Sequence, residues 1–100
     1  MAERVIVWTK TAIKQRREIL KYWQLKNKSF NYPEKIIRLT RKRISIILKN
    51  PLAFKKTNFL DTRESAMGYF SIYYKITDTQ LIITAFWDNR QDPKTLISLL

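Results

Sequence analysis

Apolar and polar positions alternate with two different periods, and the change comes at Pro51. Arg4-Val-Ile-Val-Trp8 is rich in β-branched and aromatic residues and predicts a short first strand. Thr9 or Thr11 is placed to cap the helix that follows. At the helical repeat, Ala12, Ile13, Ile19, Leu20 and Trp23 share one arc. Lys10, Lys14, Arg17 and Lys21 form a stripe away from it. Arg16 falls inside the apolar arc, either as a side chain that snorkels at the core edge or as a residue making an inward ion pair or partner contact. Lys26 to Ser29 reads as a turn, and Asn31-Tyr-Pro-Glu34 opens a second helix. There Asn31 and Glu34 suggest a capping box, with Phe30 as a staple. Pro33 is tolerated in a first turn, where its missing N–H has no helical partner. Ile36, Ile37, Thr40, Ile44, Ile47 and Leu48 make the second apolar arc, and Lys35, Arg38, Lys42 and Lys49 the second basic stripe. Asn50-Pro51 ends the helix.

Beyond Pro51 the period shortens. Thr57 to Leu60 is a short strand candidate. Phe70 to Ile76 is a strong one, with Phe70, Ile72, Tyr74 and Ile76 on one face. Thr77 to Gln80 reads as a turn, and Leu81 to Trp87 as a strand apolar on both faces, hence interior. Asp92-Pro93 predicts the start of a short C-terminal helix carrying Leu96, Ile97, Leu99 and Leu100. The expected fold is α+β, in the order β-α-α-β-β-β-α, with a helical hairpin packed on one face of a small, mostly antiparallel sheet. One hundred residues make a single domain, residues 1–100.

Composition sharpens this picture through charge. The net charge is +12, and it is unevenly placed. Residues 10–56 hold fifteen Lys/Arg against two acids, a net +13, while residues 57–100 hold four against five, a net −1. The basic hairpin therefore predicts a polyanion-binding face, against the plainer reading of a solubilising surface. Neither cysteine nor histidine is present, so the expectation is no disulfide, no metal and no cofactor. Met1 to Val5 is charged and does not read as a signal peptide, and no apolar run is long enough to span a bilayer. These features fit a cytoplasmic protein with no membrane partner.

The element order, in a basic chain of this length, resembles the RelE/ParE superfamily of type II toxin–antitoxin toxins. The most specific likeness is Tyr69 to Pro93: an aromatic strand, an Asp-containing turn, an apolar strand, then Trp87-Asp-Asn-Arg-Gln-Asp-Pro93. The resemblance implies a cognate antitoxin as partner, docking as a helix in a groove or an added strand, with the apolar tail either folded on the sheet or meeting it. It leaves two targets open. RelE-like members cut mRNA in the ribosomal A site, and ParE-like members poison DNA gyrase. The expectation formed here favours ribosome-dependent mRNA cleavage, on the strength of the basic hairpin. Gyrase inhibition, or a non-catalytic nucleic-acid-binding role, is the alternative.

RNA cleavage by a 2′-OH needs a base, an acid and cations for the phosphate. Without histidine the proton-handling candidates are Lys55, Lys56, Asp61, Glu64, Asp88 and the tyrosines. The likeness to RelE-like members points to Arg90, after the last strand, and to Arg63 in place of a lysine. Two parts of that pattern are missing: Ser71 stands where an arginine is expected, and the tail carries no tyrosine. The candidate catalytic set is Arg90, Arg63, Lys56 and Asp88. The candidate nucleic-acid-binding set is Lys10, Lys14, Arg17, Lys21, Arg38, Lys42, Lys55 and Tyr73. Simpler readings stand beside these. Arg90 suits a salt bridge to Asp88 or Asp92, Asp61 to Glu64 a solvated turn, Lys55-Lys56 a solvated loop, and Trp8, Trp23 and Trp87 the core.

Overall fold

The computed structural model describes residues 3–91. The order is β1 (Val5–Trp8), α1 (Lys10–Asn27), α2 (Asn31–Lys49), β2 (Lys55–Lys56), β3 (Arg63–Met67), β4 (Phe70–Ile76) and β5 (Gln80–Asp88). The strands form one five-stranded sheet in the order β1-β5-β4-β3-β2. β1 runs parallel to β5, and the other pairings are antiparallel. The helices lie on one face, α1 over β5 and α2 over β3. The expected C-terminal helix from Asp92 lies outside the described residues.

Thr9 starts α1: its Oγ1 accepts the Ala12 N–H at 3.1 Å. Lys28 stops it in the left-handed region, φ 49°, and returns its N–H to the Gln24 carbonyl. The entry to α2 differs from the expected capping box. Phe30 enters in a helical conformation, so Asn31 already lies inside the first turn, and its N–H donates to Ser29 Oγ at 3.1 Å. The buried positions of α2 are Pro33, Ile36, Thr40, Ile44 and Ile47, which leaves the Lys35, Arg38, Lys42 and Lys49 stripe on the opposite side. Arg16 sits at the core edge with its guanidinium 4.9 Å from the Trp8 ring centroid.

The core is built from Ala12, Ile19, Ile36, Ile44 and Ile47 of the helices against Phe70, Ile72, Tyr74, Leu81, Ile83 and Phe86 of the sheet. Burying one such aliphatic side chain contributes about 1.5–3 kcal/mol. The Phe70, Ile72, Tyr74 and Ile76 face of β4 looks toward the helices, as its alternation predicts. Tyr73, Ala85 and Trp87 form a second small cluster on the other face. Interior β5 lies between β1 and β4, as its two apolar faces require.

The third quarter of the chain departs from expectation. Thr57 to Leu60 is not a strand. It belongs to the loop between β2 and β3, where Thr57 N–H and Oγ1 both donate to the Thr62 carbonyl, at 3.0 and 2.9 Å. Lys55-Lys56, expected in a loop, is a two-residue edge strand, and the stretch read as a solvated turn gives way at Arg63 to β3. Only Ser65 and Met67 of β3 turn to the core, so its apolar signal is faint. Gly68, at φ +62°, closes the tight hairpin between Met67 and Phe70 and makes β3 possible.

Candidate functional site

Asp88 is the last residue of β5 and stands opposite Phe70 in register. Two residues on, Arg90 turns back over it. Nε donates to Oδ1 at 2.9 Å, Nη2 to Oδ2 at 2.8 Å, and the Arg90 N–H to Oδ1 at 3.0 Å. The guanidinium is held between aromatic rings, 4.6 Å from the Tyr69 centroid and 4.9 Å from that of Trp23. Burial pushes the Asp88 carboxyl up, but the hydrogen bonds and charge of Arg90 outweigh it and hold the group below the ordinary carboxylate range. The hydrogen bonds to Asp88 raise Arg90 in turn. A carboxylate so stabilised is a weak base, and a guanidinium so neutralised is a poor clamp for a second anion unless the pair opens.

The other two catalytic candidates lie elsewhere. Lys56 pairs with Arg63 across β2 and β3, and Arg63 faces Tyr74 on β4. That is the opposite end of β4 from the Phe70–Asp88 register, four residues along and two strands across, or roughly 16 Å. Arg63 is also engaged: its Nη1 donates to the carbonyls of Leu52 at 3.2 Å and Phe54 at 2.8 Å, tying the loop after α2 to the sheet. The structure therefore brings Asp88 to Arg90 and Lys56 to Arg63, and keeps the two pairs apart.

Sequence reasoning missed a polar chain on the sheet face away from the helices. Asn89 Nδ2 donates to Ser71 Oγ at 2.9 Å, Ser71 Oγ donates to Glu64 Oε2 at 2.7 Å, and the Tyr73 hydroxyl reaches the same Glu64 oxygen at 3.3 Å. Ser71, noted only for not being arginine, is the centre of it. Tyr73 points away from the main core as expected. However, it is only 7% exposed, so its ring offers no open stacking surface, a correction to its place among nucleic-acid-binding candidates. Burial first, and the Glu64 carboxylate second, push its phenol up to about 12.

The cations of the hairpin are where the wheel put them. Lys10, Lys14, Arg17 and Lys21 are exposed on α1 opposite buried Ala12, Gln15 and Ile19. Arg38 and Lys42 are exposed on α2, and Lys55 and Lys56 at the β2 edge. Among the described residues, Asp88–Arg90 is the single ion pair, so the stripes carry no intramolecular counter-charge within 4.0 Å. Among the same residues no cluster of acids suits a metal ion, and no helix is long and apolar enough to cross a membrane.

The family model described as ParE toxin of type II toxin-antitoxin system, parDE, matches residues 6–93. The chain belongs to the ParE toxin family. A solved structure titled "Chromosomal ParDE TA system from P. aeruginosa" superposes with a TM-score of 0.70 at 12% identity, covering 84% of this chain and 94% of that one. At that identity the likeness speaks for the fold, two helices on a mixed sheet. No curated protein sequence matches the chain. This ParE-family chain is accordingly the toxin component of a type II toxin–antitoxin system, and its partner is a cognate antitoxin.

Proposed function

We propose that this toxin acts by binding a protein target, DNA gyrase, as ParE-like members of the superfamily do, and not by cutting RNA. The observation that carries the reading is the distance between the two candidate pairs. A base, an acid and a free phosphate clamp must meet within hydrogen-bond reach of one ribose. Here Arg90 is neutralised by Asp88, while the backbone of Arg63 stands roughly 16 Å from that of Asp88 across the sheet and Lys56 lies one strand farther. The family model points the same way. Such a toxin acts in the cytoplasm, without metal or cofactor.

Ribosome-dependent mRNA cleavage is the second reading. It is favoured by one observation, the two exposed basic stripes without ion-pair partners among the described residues, which suit docking among rRNA phosphates.

Purified toxin added to a gyrase supercoiling assay, and separately to translating ribosomes, decides between them. Inhibited supercoiling with trapped DNA breaks supports the proposal. New mRNA 5′ ends with supercoiling unaffected would replace it with the second reading.

A further inference from the structure

Leu60 and Leu52 are the most exposed large apolar side chains among the described residues, 82% and 70% open to solvent. Both are carried by loops that are held in place. Leu60 lies in the loop between β2 and β3, which bonds to itself. Besides the two bonds from Thr57 to the Thr62 carbonyl, the Phe59 N–H donates to Thr57 Oγ1 at 3.1 Å, the Thr62 N–H to the Phe59 carbonyl at 3.2 Å, and Thr62 Oγ1 to the Leu60 carbonyl at 2.9 Å. Asp61, at φ 52°, makes the turn after Leu60 in the left-handed region, which aspartate tolerates. Leu52 follows the end of α2. There the Tyr74 hydroxyl holds the Pro51 carbonyl, and Arg63 holds those of Leu52 and Phe54. A loop ordered in advance presents its side chains to a partner at little further entropy cost.

Two hollows share Phe59, Thr62 and Lys75 as lining. The smaller, about 330 Å³, is bordered by Leu60. The larger, about 490 Å³, is bordered by Leu52 and also lined by Lys56, Asp61 and Arg63. Lys56, Arg63 and Lys75 therefore face one acid, Asp61, in the larger hollow, and among the described residues none of them forms an ion pair within 4.0 Å. The two carbonyls bonded by Arg63 leave its positive charge uncancelled. This end of the molecule is thus cationic in its hollow and apolar at its rims.

We propose that Leu52, Leu60 and the larger hollow form the surface by which the toxin grips an acidic patch of its protein target. A carboxylate of the target enters the hollow against Lys56, Arg63 and Lys75, and the two leucines pack on apolar surface around it. The inference rests on the gyrase reading for the target's identity and adds where on the toxin that target is held. A nucleic-acid strand suits the surface less well. Its phosphates would meet the cations but leave both leucines in water, and no open ring is offered for stacking, since Tyr74 is fully buried and Phe59 half-buried. A second copy of the chain, also at +12, would set one cationic hollow against another.

The test measures binding of the full-chain toxin to immobilised, purified DNA gyrase by interferometry, with thermal unfolding of each variant as the check on folding. Leu60→Asp weakens binding about twentyfold and Lys56→Glu about tenfold. Both positions are exposed, so the unfolding midpoints stay close to that of the parent. Leu25→Asp, the same change at a 64% exposed leucine near the turn between the helices, binds as the parent does. If the parent binds and either Leu60→Asp or Lys56→Glu binds equally well, or if Leu25→Asp loses as much, the surface is overturned and the gyrase reading stands. A parent that does not bind gyrase overturns both together. Two further results overturn the surface: weaker binding of the same two variants to a short DNA duplex alone, which makes it a nucleic-acid site, or a parent that is dimeric by light scattering where Leu60→Asp is monomeric, which makes it a contact between copies.

Discussion

The Tyr74 hydroxyl donates to the Pro51 carbonyl at 2.7 Å, fastening the end of the helical hairpin to the middle of the sheet. Tyr74 is fully buried and Pro51 half-buried, so this bond joins the helical half of the chain to the strand half at the edge of the core. Tyr74→Phe leaves the Pro51 oxygen without that donor. The expected loss is about 1–3 kcal/mol, read as a lower urea midpoint with an unchanged slope.

Gly68 sits at φ +62° with open space where a Cβ would stand. Gly68→Ala therefore strains the backbone and nothing else, at a cost of about 1 kcal/mol in thermal or urea unfolding. Gly68→Asn costs less, because asparagine tolerates that region better. Equal losses for the two would show that the hairpin is held by something other than this turn.

Asp88 links stability to acid. Its folded carboxyl titrates below the unfolded one, so its contribution is complete above the unfolded value of about 3.9 and fades as pH falls through the folded value. Arg90 is partly exposed, which keeps the contribution to about 1 kcal/mol or less. Asp88→Asn flattens the acid limb of the stability profile below about pH 4 and leaves the profile near neutrality almost level. A variant as acid-sensitive as the parent would remove the pair from the account.

Tyr73 works at the other end of the scale. Its phenol is raised to about 12, so its contribution is intact below about pH 10 and is lost as pH climbs through about 12. Phenolate absorbance in the folded protein shows a late-ionising tyrosine, and Glu64→Gln moves that step downward by removing the carboxylate beside it. An unmoved step would mean that burial alone sets it.

The basic stripe of α1 is exposed and, among the described residues, pairs with no acid within 4.0 Å. Replacing Lys14, Arg17 and Lys21 by glutamate leaves thermal stability within about 0.5 kcal/mol. Association with an acidic partner or polyanion weakens, by more at low salt than at high. Unchanged association, measured by calorimetry at two ionic strengths, would return the stripe to solubility alone.

Much of this protein is local, and what is local was legible. Each helix carries its own apolar arc and basic stripe at a fixed period, so both could be drawn from the residues before any contact was known. The same holds for β4 and β5, whose alternation and apolar runs carry enough signal over seven and nine residues. β3 was hidden because Arg63-Glu-Ser-Ala-Met67 presents one large apolar side chain, and its strandedness comes from pairing with β4 across the Gly68 turn. The sites needed the fold still more. Gln15 meets Phe86 across 71 positions, and the Asn89, Ser71, Glu64 and Tyr73 chain joins three strand regions. Arg90 and Arg63 look equivalent in a list of cations, yet strand register sets them at opposite ends of the sheet. Periodicity acts over one turn or one pleat and can be read along the chain. Distance between strands depends on register and closure, which only packing of the whole molecule decides.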